Sequence, residues 1–255
     1  MRLFGTLFSA AFLLFMSTSF AGKPSEEILV QHFHDAATGK MVRAALDGNA
    51  KKVDRMLANG AKINARADEG LTPLILAVMQ KNKRAVEILL DRNANPNLLA
   101  DKGRSAMSEA AEAKEPWFLE QLIKHGGDPN LDDLYLGETP VFPAAKYGLI
   151  ENMHCLIAAG AKLNHRDGTG QTAIINAAQL NQYEAAWVLL EAGANPMIKD
   201  NFGTTIMYEI QHYGYGIKGG TMAMYRDRIV EWLKQRQFWR LEKTNQERSE
   251  EQEKQ

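Results

Sequence analysis

A single cysteine, Cys155, among 255 residues excludes an internal disulfide framework. An excess of charge of either sign is missing too, because 30 lysines and arginines face 31 aspartates and glutamates for a formal net charge of -1. Such a balance supplies no electrostatic footprint for a phosphate backbone and argues against nucleic acid as a partner. A long apolar run occurs only at the start. There Met1-Arg2 is a short positive beginning, Leu3 to Met16 is apolar but too short for a comfortable membrane span, and Ser19-Phe20-Ala21 offers the small residues of a cleavage site. The pattern predicts a secretory signal peptide over residues 1–21, cut after Ala21, with an uncleaved N-terminal anchor as the alternative. No cysteine follows the run to carry a lipid, and no Asn-x-Ser/Thr glycosylation signal occurs. A bacterial periplasm is therefore the expected location. The chain from Gly22 onward, without Arg2, would carry a net charge of about -2 and no integral membrane segment.

What the chain does have is a period. Gly70-Leu71-Thr72-Pro73-Leu74, Gly103-Arg104-Ser105-Ala106-Met107, Gly137-Glu138-Thr139-Pro140-Val141, Gly170-Gln171-Thr172-Ala173-Ile174 and Gly203-Thr204-Thr205-Ile206-Met207 align at steps of 33, 34, 33 and 33 residues. A second ladder runs in phase with it: Asn59-Gly60-Ala61-Lys62-Ile63-Asn64, Asn93-Ala94-Asn95-Pro96-Asn97, His125-Gly126-Gly127-Asp128-Pro129-Asn130, Ala159-Gly160-Ala161-Lys162-Leu163-Asn164 and Ala192-Gly193-Ala194-Asn195-Pro196. Two ladders agreeing on one period leave little room for chance.

On these residues the chain resembles the ankyrin family from about Gly39 to Gln237. The family pattern of Gly-x-Thr-Pro-Leu-His, an Ala-Ala pair, a second helix ending Leu-Leu and a closing Gly-Ala-Asp/Asn is matched by Gly70 to Asn97 and more loosely four other times. The resemblance implies an all-α solenoid of five to six helix-turn-helix repeats, joined by hairpin-like loops. Physical reasons accompany each piece. Thr72 and Thr139 are expected to cap first helices, with Pro73 and Pro140 in the first turn, where a missing N–H is harmless. Ala77, Ala110-Ala111, Ala144-Ala145 and Ala177-Ala178 let paired helices approach closely. Gly60, Gly126, Gly160 and Gly193 end second helices where φ is positive, and Asn93 takes that place in the second repeat. Leu89-Leu90, Leu122-Ile123, Leu156-Ile157 and Leu189-Leu190 form the seam between repeats.

This reading places a leading helix in residues 22–38, repeats near 39–66, 67–99, 100–133, 134–166, 167–199 and 200–237, the last a C-terminal cap, and a charged tail over 238–255. The loop from Asp132 to Leu136 holds the extra residue of the 34-residue step. The family's histidine is replaced by Ile75, Ser108, Phe142, Ile175 and Tyr208, so its hydrogen bonds across the seam are expected to be absent. The first repeat lacks the capping Thr-Pro.

Chemistry is sparse. Gly214 to Gly219 spells G-x-G-x-x-G, but it follows a helix and no βαβ unit surrounds it. His32 and His34, two apart on a helix, should point to different faces and lack a third metal ligand. Cys155 has no basic neighbour to activate it and reads as a structural thiol. No nucleophile or carboxylate pair suggests an enzyme, and no cofactor or metal is implied.

The surface remains. In the family, stacked hairpin tips and first helices form a concave face that binds other proteins. The positions that would face outward there include Leu71, Met79, Arg104, Tyr135, Leu136, Lys146, Tyr147, Gln179, Leu180, Phe202 and Tyr213, many of them apolar or aromatic without needing to be. Arg104, Glu112, Glu138 and Lys146 would form a charged rim that sets partner choice. The arrangement of signal peptide, about five repeats and a terminal Tyr225-Arg226-x-x-Ile229 helix resembles exported ankyrin proteins of Gram-negative bacteria. Some of these are immunity partners of antibacterial effectors, notably lipase-type enzymes of type VI secretion, and another accompanies a catalase. The resemblance implies a monomer that binds another protein: a secreted lipase-type effector, which it would neutralise, or alternatively a resident enzyme that it scaffolds without inhibition.

Overall fold

The computed structural model describes residues 23–101, 103–216 and 219–239. The predicted signal peptide and most of the charged tail lie outside them. The described residues form helices joined by short loops, with no strand and one isolated antiparallel bridge between Leu99 and Ser105. The chain divides into two compact units, Met1–Asn95 and Pro96–Gln255.

The first unit holds α1 (Glu26–Phe33), α2 (Ala36–Leu46), α3 (Ala50–Ala58), α4 (Pro73–Met79) and α5 (Lys83–Leu90). Each starts on a side-chain cap: Ser25 accepts from the Ile28 N–H at 3.3 Å, Asp35 from Thr38 at 2.9 Å, Asn49 from Lys52 at 3.0 Å, Thr72 from Ile75 at 3.2 Å and Asn82 from Ala85 at 3.0 Å. Capping by Asp35 means that α2 begins three residues before Gly39, where the periodic pattern starts, so the first repeat is capped after all. Gly39 then sits inside α2 at its closest approach to α1. A Cβ there would lie 2.5 Å from the backbone of Val30. Helix α2 packs on α1, α3 and α5, and Leu29, Met41, Val42, Val53, Leu74, Val86 and Leu89 fill the interior.

The second unit holds α6 (Ala106–Ala111), α7 (Trp117–Lys124), α8 (Val141–Lys146), α9 (Ile150–Ala158), α10 (Ala173–Gln179), α11 (Tyr183–Glu191), α12 (Ile206–Tyr213) and α13 (Gly220–Gln235). Two layers result. First helices stack in the order α6, α8, α10, α12, and second helices in the order α7, α9, α11, α13. The alanine pairs at 110–111, 144–145 and 177–178 are buried between them, as are Leu122, Leu156, Leu189 and Leu190, while Ile123 and Ile157 are half-buried. Helix α13 closes the array on α11, burying Ala223, Ile229 and Leu233.

One expectation about caps needs correction. Ser105 and Ser108 form a reciprocal capping box, and Thr205 accepts from Tyr208. Thr139 does not cap through its hydroxyl: α8 starts after Pro140, the Phe142 N–H donates to the Thr139 carbonyl at 2.9 Å, and the buried Oγ1 has no partner among the described residues. Thr172 Oγ1 is unpartnered in the same way. Across the seams, asparagine side chains make hydrogen bonds from one repeat to the next. Asn97 Oδ1 accepts from Asp128 at 2.8 Å, Asn130 from Lys162 at 2.7 Å and Asn164 from Asn195 at 2.8 Å, with Asn64 accepting from Asn95 at 2.8 Å in the first unit. His165 adds a contact of 2.7 Å from Nε2 to the Gly137 carbonyl. The left-handed positions after second helices are as expected, with φ of 92° at Gly60, 85° at Gly126, 86° at Gly160, 97° at Gly193 and 59° at Asn93.

Candidate protein-binding face

In the second unit the loops before the first helices are bonded to one another as well as to their own turns. Gly168 N–H donates to the Leu136 carbonyl at 2.7 Å, and Asn201 N–H to the Thr169 carbonyl at 3.1 Å. Within each loop an aspartate collects backbone N–H groups. Asp133 Oδ1 accepts from Tyr135 at 2.9 Å, from Gly137 at 3.1 Å and from Leu136, while Asp167 Oδ1 accepts from Thr169 at 2.8 Å and Gln171 at 2.9 Å. These tied turns push their intervening side chains outward. Tyr135 is 83% exposed and Phe202 is 85% exposed.

The other predicted positions of this unit divide by partner. Tyr213, Tyr147, Leu136 and Leu180 are exposed. Lys146, half-buried, lies 5.8 Å above the Tyr147 ring. Arg104 is not a free rim charge: it is paired with Glu109 and, at 3.4 Å, with Glu112. Burial alone would lower its pKa, but the two carboxylates outweigh that and hold the guanidinium firmly charged. Glu109 itself is pushed up by burial, an effect only partly offset by Arg104. Gln179 is exposed yet engaged, its Nε2 donating to Glu209 Oε1 at 3.1 Å. Burial raises the pKa of Glu209, and that of Glu138 as well.

In the first unit Leu71 and Met79 are half-buried rather than fully outward. The histidine reading also changes. His34 follows the end of α1 in the left-handed conformation, φ 52°, so its ring turns to the same side as that of His32. Nδ1 of His32 lies 2.7 Å and Nε2 of His34 2.9 Å from the two oxygens of Asp68. Burial pushes the Asp68 carboxyl up, but the two imidazoles outweigh it and the net direction is down. No group of three ligating side chains among the described residues is placed to hold a metal ion.

Three features of the face escape sequence reasoning. Leu134, 74% exposed, lies in the loop that holds the extra residue of the 34-residue step, where the periodic alignment is interrupted. Tyr208 stands at the family's histidine position, yet it is exposed and stacks on His212 at 3.9 Å. Glu109 and Glu209 lie inside first helices, where the pattern predicts only packing. Elsewhere, Cys155 is half-buried with its pKa raised by burial and then by Glu120, the opposite of an activated thiol. Gly214–Gly216 form a short turn whose first carbonyl accepts from Arg226 at 2.7 Å. Gly219 of the same motif is described, whereas residues 217–218 lie outside the described set. No helix of the described residues is long and apolar enough to cross a membrane.

A family model for ankyrin repeats, in three copies, matches residues 41–133 and 107–200. Among solved structures, the crystal structure of EF0377, an ankyrin repeat protein, superposes with a TM-score of 0.63 at 29% sequence identity, covering 70% of this chain and 94% of that one.

Proposed function

Because the chain belongs to the ankyrin-repeat family, whose members act as protein-binding modules, we propose that it is an exported periplasmic immunity protein that binds and neutralises an antibacterial lipase-type effector. Neutralisation is stoichiometric: the loops and first helices of residues 96–239 cover the mouth of the effector's active site or keep it from its membrane. The observation that carries the binding reading is the set of large side chains held outward by hydrogen-bonded turns, above all Tyr135 and Phe202. Ordinary packing does not require aromatics there, and aromatics supply much of the energy of protein interfaces. Export rests on the apolar run and the Ser19-Phe20-Ala21 site. The choice of a toxin as partner rests on the resemblance to exported immunity proteins.

The test is capture from the periplasm. The full chain with a C-terminal tag is expressed in its native background, with the Tyr135→Ala/Tyr147→Ala variant as control. Mature protein should begin at Gly22, and an intact Met1 would refute cleavage. A secreted lipase retained by the wild type and lost by the variant, with its activity abolished at one equivalent, is the expected result. Retention of a resident enzyme whose activity is unchanged would replace neutralisation by scaffolding. Equal retention by the variant would refute this face as the docking surface.

A further inference from the structure

The docking reading for residues 96–239 leaves the chemistry of the partner open, and Glu138 narrows it. The other two glutamates of this unit that burial raises each have a partner: Glu109 has Arg104, and Glu209 has the amide of Gln179. Glu138 has none. Its half-buried carboxylate makes no hydrogen bond or ion pair with any described residue. The charges that face it are Lys146, which is attractive but not within pairing distance, and Asp133, Asp167 and Glu112, which repel it. The carboxylates of Asp133 and Asp167 are occupied by backbone N–H groups of their own turns. Holding a partly desolvated, unpaired carboxylate among others is unfavourable for the free protein. Local rules of this kind are broken chiefly where function requires it.

Tyr135 and Leu136, exposed, belong to the same loop as Glu138, and Lys146, whose charge Glu138 feels, lies 5.8 Å above the exposed ring of Tyr147. We propose that this face takes a cationic segment of the partner protein, which presents a lysine or arginine to Glu138 and rests its apolar side chains on Tyr135, Leu136 and Tyr147. The incoming cation supplies the pairing that Lys146 does not, and the aromatic rings accept the face of a guanidinium or ammonium group as well as methylene groups. Lys146 then acts as a brake on binding, since it repels the same cation.

Two synthetic peptides test this on protein purified after expression of the full chain. Both carry the same apolar and aromatic residues; one has lysine and arginine at its polar positions, the other glutamate and aspartate. The cationic peptide should shift the amide resonances of residues 133–147, bind at least tenfold more tightly than the acidic one, and weaken as salt is raised. Glu138→Gln, which preserves shape, should weaken it at least fivefold with an unchanged circular dichroism spectrum, and Lys146→Met should tighten it. Unchanged affinity in Glu138→Gln, or no binding by either peptide, overturns the proposal. Equal binding of both peptides, lost in Tyr135→Ala/Tyr147→Ala, also overturns the cationic preference but leaves the docking face standing. Binding that shifts other residues and ignores the tyrosine pair overturns both.

Discussion

Asn152 offers a sharp test of how the second unit is held together. It lies buried on α9, and its Nδ2 sits 3.3, 3.0 and 2.6 Å from the carbonyl oxygens of Ala110, Ala111 and Ala113 at the end of α6. Terminal carbonyls of a helix lack intrahelical donors, and here a side chain from the next repeat supplies them. The corresponding places in neighbouring repeats hold Ala85, Phe118 and Ala185. Alanine therefore fits the position sterically in two of them, and Asn152→Ala isolates the polar contribution. Ala110 keeps the Ala113 N–H at 3.1 Å, so the loss falls mainly on Ala111 and Ala113. At about 1–3 kcal/mol for each buried acceptor left unsatisfied, and with some relief from deleting the unpartnered Oδ1, the expected cost is about 2–4 kcal/mol. Asn152→Asp should be worse at neutral pH, because it turns the donor into a carboxylate aimed at three carbonyl oxygens. The carboxyl introduced there has a folded pKa raised above its unfolded value of about 3.9, so the folded state binds the proton more tightly and the deficit shrinks as pH falls toward that value. Urea unfolding at pH 7 and pH 5, followed by circular dichroism with the slope checked for constancy, reads both effects. An alanine variant within about 0.5 kcal/mol of wild type, or an aspartate variant no worse than alanine, would refute the reasoning.

Leu156→Ala, deep between the helix layers of the same unit, should cost about 2–5 kcal/mol in the same assay, and a loss below about 0.5 kcal/mol would mean the seam is misassigned. Gly39→Ala should cost about 1–3 kcal/mol, since its methyl meets the Val30 backbone; a gain of about 0.5–1 kcal/mol, as helix propensity alone gives, would show that α1 does not hold this position. Glu209→Gln should stabilise the protein at pH 7. The raised folded pKa of Glu209 means that its penalty appears as pH rises through and above the ordinary carboxylate range of about 4.3, so the variant should lose part of the wild-type decline across that window. Parallel wild-type and variant stability curves from pH 4 to pH 8 would contradict this.

The repeat period is legible because each residue that carries it answers a local demand: small residues where helices touch, positive φ at Gly60, Gly126, Gly160 and Gly193, and leucines on the facing seam. Exposure of Tyr135, Tyr147, Phe202 and Tyr213 is legible for the same reason, since positions outside the packing code have nowhere else to go. What stays hidden depends on partners distant in sequence. The donors of Asn152 reach back 39 to 42 residues, and the asparagines of the second ladder look like turn residues until their bonds to the next repeat are seen. Thr139 shows the converse failure. Its sequence matches a capping threonine, but starting α8 after Pro140 leaves the hydroxyl with nothing to cap.

The same distinction explains why the fold constrains a partner's chemistry more than its identity. Packing fixes which residues are exposed, and the turns at Asp133 and Asp167 fix where their charges sit. Neither demand is met by leaving Glu138 unpaired among carboxylates. A side chain retained against the interests of the isolated fold identifies the kind of group that completes it, here a cation on an apolar segment. A partner chosen by size or apolarity alone would be bound as well with glutamine at position 138, and that equality is what the peptide comparison is built to detect.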